Sequence, residues 1–227
     1  MSMANKDIKT VGYVMRRTNY GEADRILDII TPQGKIAAIA RSARREKSKL
    51  AGGIEMFTLS EYCFHKGNGE LAIVTSVKMQ KHLSNIMKSY DRIELGGMIL
   101  RKVARLAESS DNEEYFKIVD QCLNGLNDSL DTRLVEAYSL VNLSSAMGEE
   151  INLMRDNKGE KLVAGQRYNW DSGDECFMQY EGGVFDENDI KFFRMIASTD
   201  LAVVARVKNM DETLGKVWQL VREIVHI

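Results

Sequence analysis

The chain has 227 residues, 44% of them apolar and 28% charged, with a formal net charge of -2, which allows one large or two small domains with a real core. No run of eighteen apolar residues occurs, which excludes a membrane-spanning helix, and the opening "MSMANKDIKT" lacks the apolar core and cleavage site of a secretory signal. Cys63, Cys122 and Cys176 are odd in number and far apart, which speaks against a disulfide framework and for a reducing cytoplasm.

The small net charge hides a division. Residues 1–82 carry 14 Lys+Arg against 8 Asp+Glu, a net of +6, and the remainder carries 17 against 25, a net of -8. A field acts locally, within a Debye length of about 8 to 10 Å, so this asymmetry says more about partners than the sum does.

In chain order, the first part reads as short strands. "TVGYVMRR" alternates, with Val11, Tyr13 and Met15 on one face. "RILDIIT" follows a polar connection, and "TPQG" then gives a turn into "KIAAIA". "EMFTLSEYCFH" and "GELAIVTSVKM" form two more strands, joined by the glycine-rich "KGNG". Five strands without crossover helices predict a small antiparallel barrel, with the OB-fold leading and an SH3-like barrel as the alternative. Tyr13, Phe57, Tyr62 and Phe64 alternate with polar residues and are assigned to its core.

From His82 the period changes to 3.6. Leu83, Ile86, Met87 and Tyr90 are predicted to share a helical face that continues through Ile93, Ile99, Val103 and Leu106. Ser110 to Glu113 reads as a capping box for a helix with Phe116, Val119 and Leu123 inward. Asp131 can cap the next helix and Gly148 can end it. Asp186 reads as an N-cap with Phe185 and Ile190 as a staple, and the last helix lines up Leu214, Val217, Trp218 and Val221. The expected architecture is α+β: an OB barrel over 1–82, then a helical domain over 83–227. Within the latter, an acidic, irregular excursion with a short hairpin is expected around 159–183.

Catalytic signals are thin. His65, His82 and His226 are isolated, and no phosphate-binding loop or nucleophile elbow occurs. "DSGDE" (Asp171 to Glu175) has the wrong ligand spacing for a calcium loop and reads as an exposed turn. No enzyme activity, cofactor or metal is expected.

Binding is where the signal lies. "AIARSARREKSKL" packs Arg41, Arg44, Arg45, Lys47 and Lys49 into nine positions against one Glu46. On an OB barrel such a segment can track a phosphodiester backbone while an aromatic side chain stacks on a base. Arg16, Arg17, Arg25 and Lys35 are candidates to extend the patch, and Tyr20 is the candidate for stacking. The alternative is a solvated loop that shields a sheet edge; the density of cations favours nucleic acid.

From "GYVMRR" through "NYGEAD" (Asn19 to Asp24), "TPQGK" (Thr31 to Lys35) and "AIARSARREKS" (Ala38 to Ser48), the chain resembles the N-terminal domain of the RecO family of bacterial recombination mediators. The helical part is similar in architecture and in "EGGVF" (Glu181 to Phe185). The resemblance implies a cytoplasmic, nucleoid-associated, non-enzymatic DNA-repair protein. Such a protein binds single- and double-stranded DNA, anneals complementary strands and, with RecR, helps load RecA onto DNA coated by single-strand-binding protein.

The chain departs from the family pattern in three places. Arg41-Ser42 replace a usual Lys-Gly, so Ser42 restricts a position that glycine leaves free. Cys176 stands alone where many members carry four zinc-binding cysteines. The chain stops at "REIVHI", without the family's longer basic C-terminal stretch.

The family recognises the acidic, apolar-ended tail of single-strand-binding protein, which calls for a pocket with a cation at its rim. "MILRKVAR" and "FFRMIA" place cations among apolar neighbours in the helical half, so Arg101, Lys102, Arg105 or Arg194 is expected to border it. The competing reading is that these cations solvate helix faces. Two other functional classes remain in view: an adaptor whose basic loop docks acidic peptides, and an RNA-binding OB protein.

Overall fold

The computed structural model describes residues 6–67, 69–108 and 113–227, which fall into two compact units, Met1–Asp128 and Ser129–Ile227. In the first, strands β1 (Lys6–Tyr20), β2 (Asp24–Thr31), β3 (Gly34–Ala40), β4 (Thr58–Lys66) and β5 (Ala72–His82) close into a barrel in the order β1-β2-β3-β5-β4. The β3–β5 contact is parallel and the rest are antiparallel. One long strand makes closure possible. The first half of β1 pairs with β4 and its second half with β2, and a bulge between Val14 and Arg16 bends it from one partner to the other. This is the OB-fold.

Period-2 alternation fills the lumen with Val14, Leu27, Ile29, Ala38, Ala40, Tyr62 and Phe64, to which the turn before β4 adds Ile54; the two aromatic rings are stacked with centroids 5.5 Å apart. Tyr13, Phe57, Tyr62 and Phe64 are all buried. The turn from β2 to β3 takes Gly34 to φ +98°, a conformation that glycine adopts without steric cost.

The barrel strands end at His82. The helix expected from Leu83 begins only at Tyr90, because the Leu83 amide still donates to the Phe57 carbonyl (3.0 Å) and the chain makes a short 3-10 turn over Ile86–Lys88. Leu83 and Ile86 are buried, but Met87 and Tyr90 are 56% and 76% exposed. Helices α1 (Tyr90–Leu106) and α2 (Glu114–Asn127) follow. Val119 and Leu123 face inward and Phe116 is half-buried; positions 110–112 of the capping box lie outside the described residues.

Helix α2 is tied to the barrel through a polar contact. The Tyr13 phenol donates to Asp120 Oδ1 at 2.7 Å, and Asn124 Nδ2 donates to the same oxygen at 3.0 Å. Burial, then the adjacent Asp120, pushes the Tyr13 phenol far up, so it remains a proton donor. Tyr13→Phe should therefore lower unfolding stability by about 1.5 kcal/mol, read as a lower urea midpoint at constant m. An unchanged midpoint would mean that this contact adds nothing to stability.

The second unit holds α3 (Thr132–Ala146), a hairpin of β6 (Tyr168–Asp171) and β7 (Cys176–Gln179), α4 (Glu187–Ser198), the single turn α5 (Leu201–Val204) and α6 (Asp211–Ile224). Its caps follow the sequence. The Asp131 carboxylate accepts the Arg133 amide at 2.8 Å, Gly148 takes φ +88° just beyond α3, and Asp186 with Asp189 forms a reciprocal capping box. Leu214, Val217 and Val221 of α6 are buried, and Trp218 donates to Glu136 of α3 at 2.8 Å. The hairpin lies inside the stretch expected to be irregular. Among the described residues no helix is long and apolar enough to cross a membrane.

Candidate nucleic-acid interface

The basic segment leaves the end of β3 and folds back on the β1–β2 connection. The Ser42 amide donates to Asp24 Oδ1 (2.7 Å), the Arg44 amide to the Ala23 carbonyl (2.8 Å) and the Ser48 amide to the Arg45 carbonyl (2.9 Å), while Ala43 is buried beneath. The backbone is pinned and the charges face outward. Arg41, Arg44, Arg45, Lys47 and Lys49 are all exposed, and among the described residues none has a carboxylate within ion-pairing distance. The Arg44 guanidinium donates to the Gly21 carbonyl (3.2 Å), next to Tyr20, whose side chain is 55% exposed at the end of β1. Folding thus puts the stacking candidate and the cation run on one rim.

The departure at Ser42 has a structural consequence. Its φ is +54°, in the left-handed region where a Cβ costs roughly 1 kcal/mol. Ser42→Gly should stabilise the protein by about 1 kcal/mol in urea unfolding, with Ser42→Ala giving no such gain. A Gly variant less stable than the parent would show that the unfolded chain's added freedom outweighs the relieved strain.

The other predicted cations divide. Arg16 pairs with its cross-strand neighbour Asp28 (3.7 Å) and with Glu108 (3.6 Å). Arg17 and Arg25 both pair with Glu55, Arg25 at 3.4 Å. Lys35 is the second residue of β3, six residues before Arg41, which at about 3.3 Å per residue puts it roughly 20 Å away along the chain. Sequence reasoning missed Glu55, which binds two of the predicted phosphate contacts; the available signal was its place directly after the basic run and "AGGI" in a stretch poor in acids.

The cations proposed to border a peptide pocket lie on two elements. Arg101, Lys102 and Arg105 are on α1 of the first unit, with Arg101 and Arg105 exposed one turn apart and Leu100, Val103 and Ala104 buried. Arg194 is on α4 of the second unit, where its Nε donates to the Leu153 carbonyl (2.9 Å). A concavity of that unit, about 700 Å³, is lined by Glu149, Glu150, Asp174, Glu175 and Glu223 beside Trp170; its charge repels a phosphate chain.

Cys176, at the family's zinc position, is buried in β7, and burial, then Asp174, Asp171 and Asp156, push its thiol up. A structural zinc needs four ligands, and Cys176 is the one cysteine in this region, so the residues present do not fit the family's four-cysteine site. Among the described residues no cluster of three or more His, Cys, Asp or Glu forms a metal site.

A family model described as "Recombination protein O N terminal" matches residues 3–82, the barrel. Among curated proteins, the DNA repair protein RecO of Dehalococcoides mccartyi is 31% identical over 228 residues, covering 95% of this chain and 88% of that protein. The DNA repair protein RecO of Roseiflexus sp. is 33% identical over 148 residues (64% and 52% of the two chains). That of Alkaliphilus metalliredigens is 34% identical over 119 residues (52% and 48%). With this likeness running through barrel and helices alike, the chain belongs to the RecO family of DNA repair and recombination proteins.

Proposed function

We propose that this protein is a recombination mediator without catalytic activity of its own. The barrel, residues 1–82, binds single- and double-stranded DNA, and the bound strands are annealed to their complements. With RecR it helps place RecA on DNA coated by single-strand-binding protein, and it works in the cytoplasm at the nucleoid. The observation that carries this reading is the pinned segment Arg41–Lys49, with exposed cations that lack carboxylate partners among the described residues beside the exposed Tyr20. Such a surface binds a polyanion through counterion release and is indifferent to sequence.

The acidic tail of single-strand-binding protein is assigned to α1, at Arg101 and Arg105, with Lys102 behind them. Arg194, occupied by the Leu153 carbonyl, takes a supporting role in its own unit. Strand annealing of complementary oligonucleotides, with and without single-strand-binding protein, tests the function. Acceleration in both conditions is the expected result. Binding of acidic peptides without binding of DNA would instead identify an adaptor, and preference for RNA in direct competition would identify an RNA-binding protein.

A further inference from the structure

Arg17, Arg25 and Glu55 form an ion cluster at the mouth of the barrel. Arg17 lies on the cross-strand row of Leu27 and Ala38, and Arg25 on that of Ala40. All three neighbours belong to the buried core, so both arginines sit on lumen-facing rows at the open end. Glu55 Oε2 takes the Arg17 guanidinium and Oε1 takes Arg25 Nη1 at 3.4 Å. Both carboxylate oxygens are thereby used, yet Arg25 Nε is buried with no acceptor among the described residues.

The carboxylate is presented by a rigid platform. The preceding 3-10 turn, Ala51–Ile54, is held by the Tyr62 hydroxyl, which donates to the Gly53 carbonyl (3.0 Å), and by the fully buried Ile54. Val77 fills the space a Cβ at Gly53 would need, at 2.1 Å. Side-chain exposure rises from Arg25 (22%) through Arg17 (33%) to Glu55 (43%), so the carboxylate covers the arginines from the solvent side. Arg25 pairs with Ala40, the residue before Arg41. The cluster therefore adjoins the root of the basic segment.

We propose that Glu55 occupies the seat of one DNA phosphate, so that binding at the barrel mouth exchanges a carboxylate for a phosphodiester between Arg17 and Arg25. This inference rests on the DNA-binding reading and deepens it. An incoming phosphate brings the same charge as the carboxylate it replaces, with oxygens free to accept the unused Arg25 Nε–H as well. Between encounters Glu55 keeps two neighbouring guanidinium groups from repelling each other and excludes monovalent anions. A polyanion already held along Arg41–Lys49 delivers its next phosphate at high effective concentration and wins the exchange.

The test is titration of fluorescent oligothymidylate with the full-length chain, comparing Glu55→Gln with Glu46→Gln, which removes an equal charge inside the basic segment. Glu55→Gln should bind about tenfold tighter than the parent, as removal of a competing charged hydrogen-bond acceptor implies. Glu46→Gln should gain clearly less, and the Glu55→Gln gain should vanish in an Arg25→Gln background. Equal gains at both positions, or a gain that survives Arg25→Gln, would overturn the exchange by showing only a general field effect. Weaker binding by Glu55→Gln would overturn it by showing that Glu55 orients the arginines for DNA. If the parent chain itself binds no oligothymidylate, the DNA-binding reading fails, and the exchange fails with it.

Discussion

Replacing Arg44, Arg45 and Lys47 together by alanine should weaken binding to single-stranded DNA on the order of a hundredfold at physiological salt, equally for all base compositions. The slope of log K against log salt should fall by about 2, since each lost phosphate contact removes about 0.7 for single strands. All three side chains are exposed, and the contacts that hold the segment in place come from its amides, Arg44 to Ala23 and Ser42 to Asp24; the side-chain bond lost, from the Arg44 guanidinium to the Gly21 carbonyl, is solvent-exposed and worth little. The triple variant should accordingly unfold at the parent's urea midpoint, which separates loss of the interface from loss of the fold. An unchanged salt slope with a normal fold would remove the segment from the interface. A loss confined to one base composition would mean that these residues read bases.

The barrel was legible because its strands carry period-2 alternation bounded by glycine and polar turns; Tyr62 and Phe64 fill the lumen as that pattern assigns, while Tyr13 and Phe57, also buried, face α2 and α1 instead. Leu83–Tyr90 misled for a local reason. Spacing alone treats four apolar residues as one helical stripe, but the Leu83 amide belongs to the Phe57 carbonyl, and a backbone group committed across the fold cannot serve a helix ladder. Tertiary pairing of this kind leaves no periodic signal.

The candidate interface was legible in part. Clustered charge in sequence marked Arg41–Lys49, because a short loop keeps its residues together whatever the fold. Arg16, Arg17, Arg25 and Lys35 are spread over three strands, and their neighbours depend on register. Pairing turned Arg16 toward Asp28, while Arg17 and Arg25 converged on Glu55, thirty residues and more downstream. Cation counts cannot show whether a carboxylate already holds the cation. The value of Ser42 as a marker came from the opposite source: the resemblance placed glycine there, and the backbone does adopt the left-handed conformation that glycine suits.

Gly183→Ala should destabilise the second unit by about 3 kcal/mol, through overpacking against backbone that has nowhere to move. The motif "EGGVF" carries part of the family resemblance, and the structure gives it a physical reason. Tyr168 exchanges backbone hydrogen bonds with Phe185, each 2.9 Å, which lays this segment against β6 as an added edge. A Cβ at Gly183 would stand 2.6 Å from the nitrogen, carbon and oxygen of Tyr168. No side-chain rotation relieves a clash with main chain, so the segment must lift away. Lifting it would break the Arg167 Nε bond to the Gly183 carbonyl (2.6 Å) and separate Phe185 from Phe177, whose rings now meet edge-on at 5.5 Å. It would also disturb the entry to the Asp186 cap of α4, one residue beyond Phe185. Gly182→Ala serves as the control, since the neighbour of its Cβ at 3.2 Å is the Tyr180 ring, an exposed side chain that can turn aside. Thermal unfolding followed by the near-ultraviolet signal of Trp170 and Trp218, both in the second unit, should show the loss for Gly183→Ala and a small change for Gly182→Ala. Equal effects at the two positions would mean that the close approach at Tyr168 is not what holds the segment.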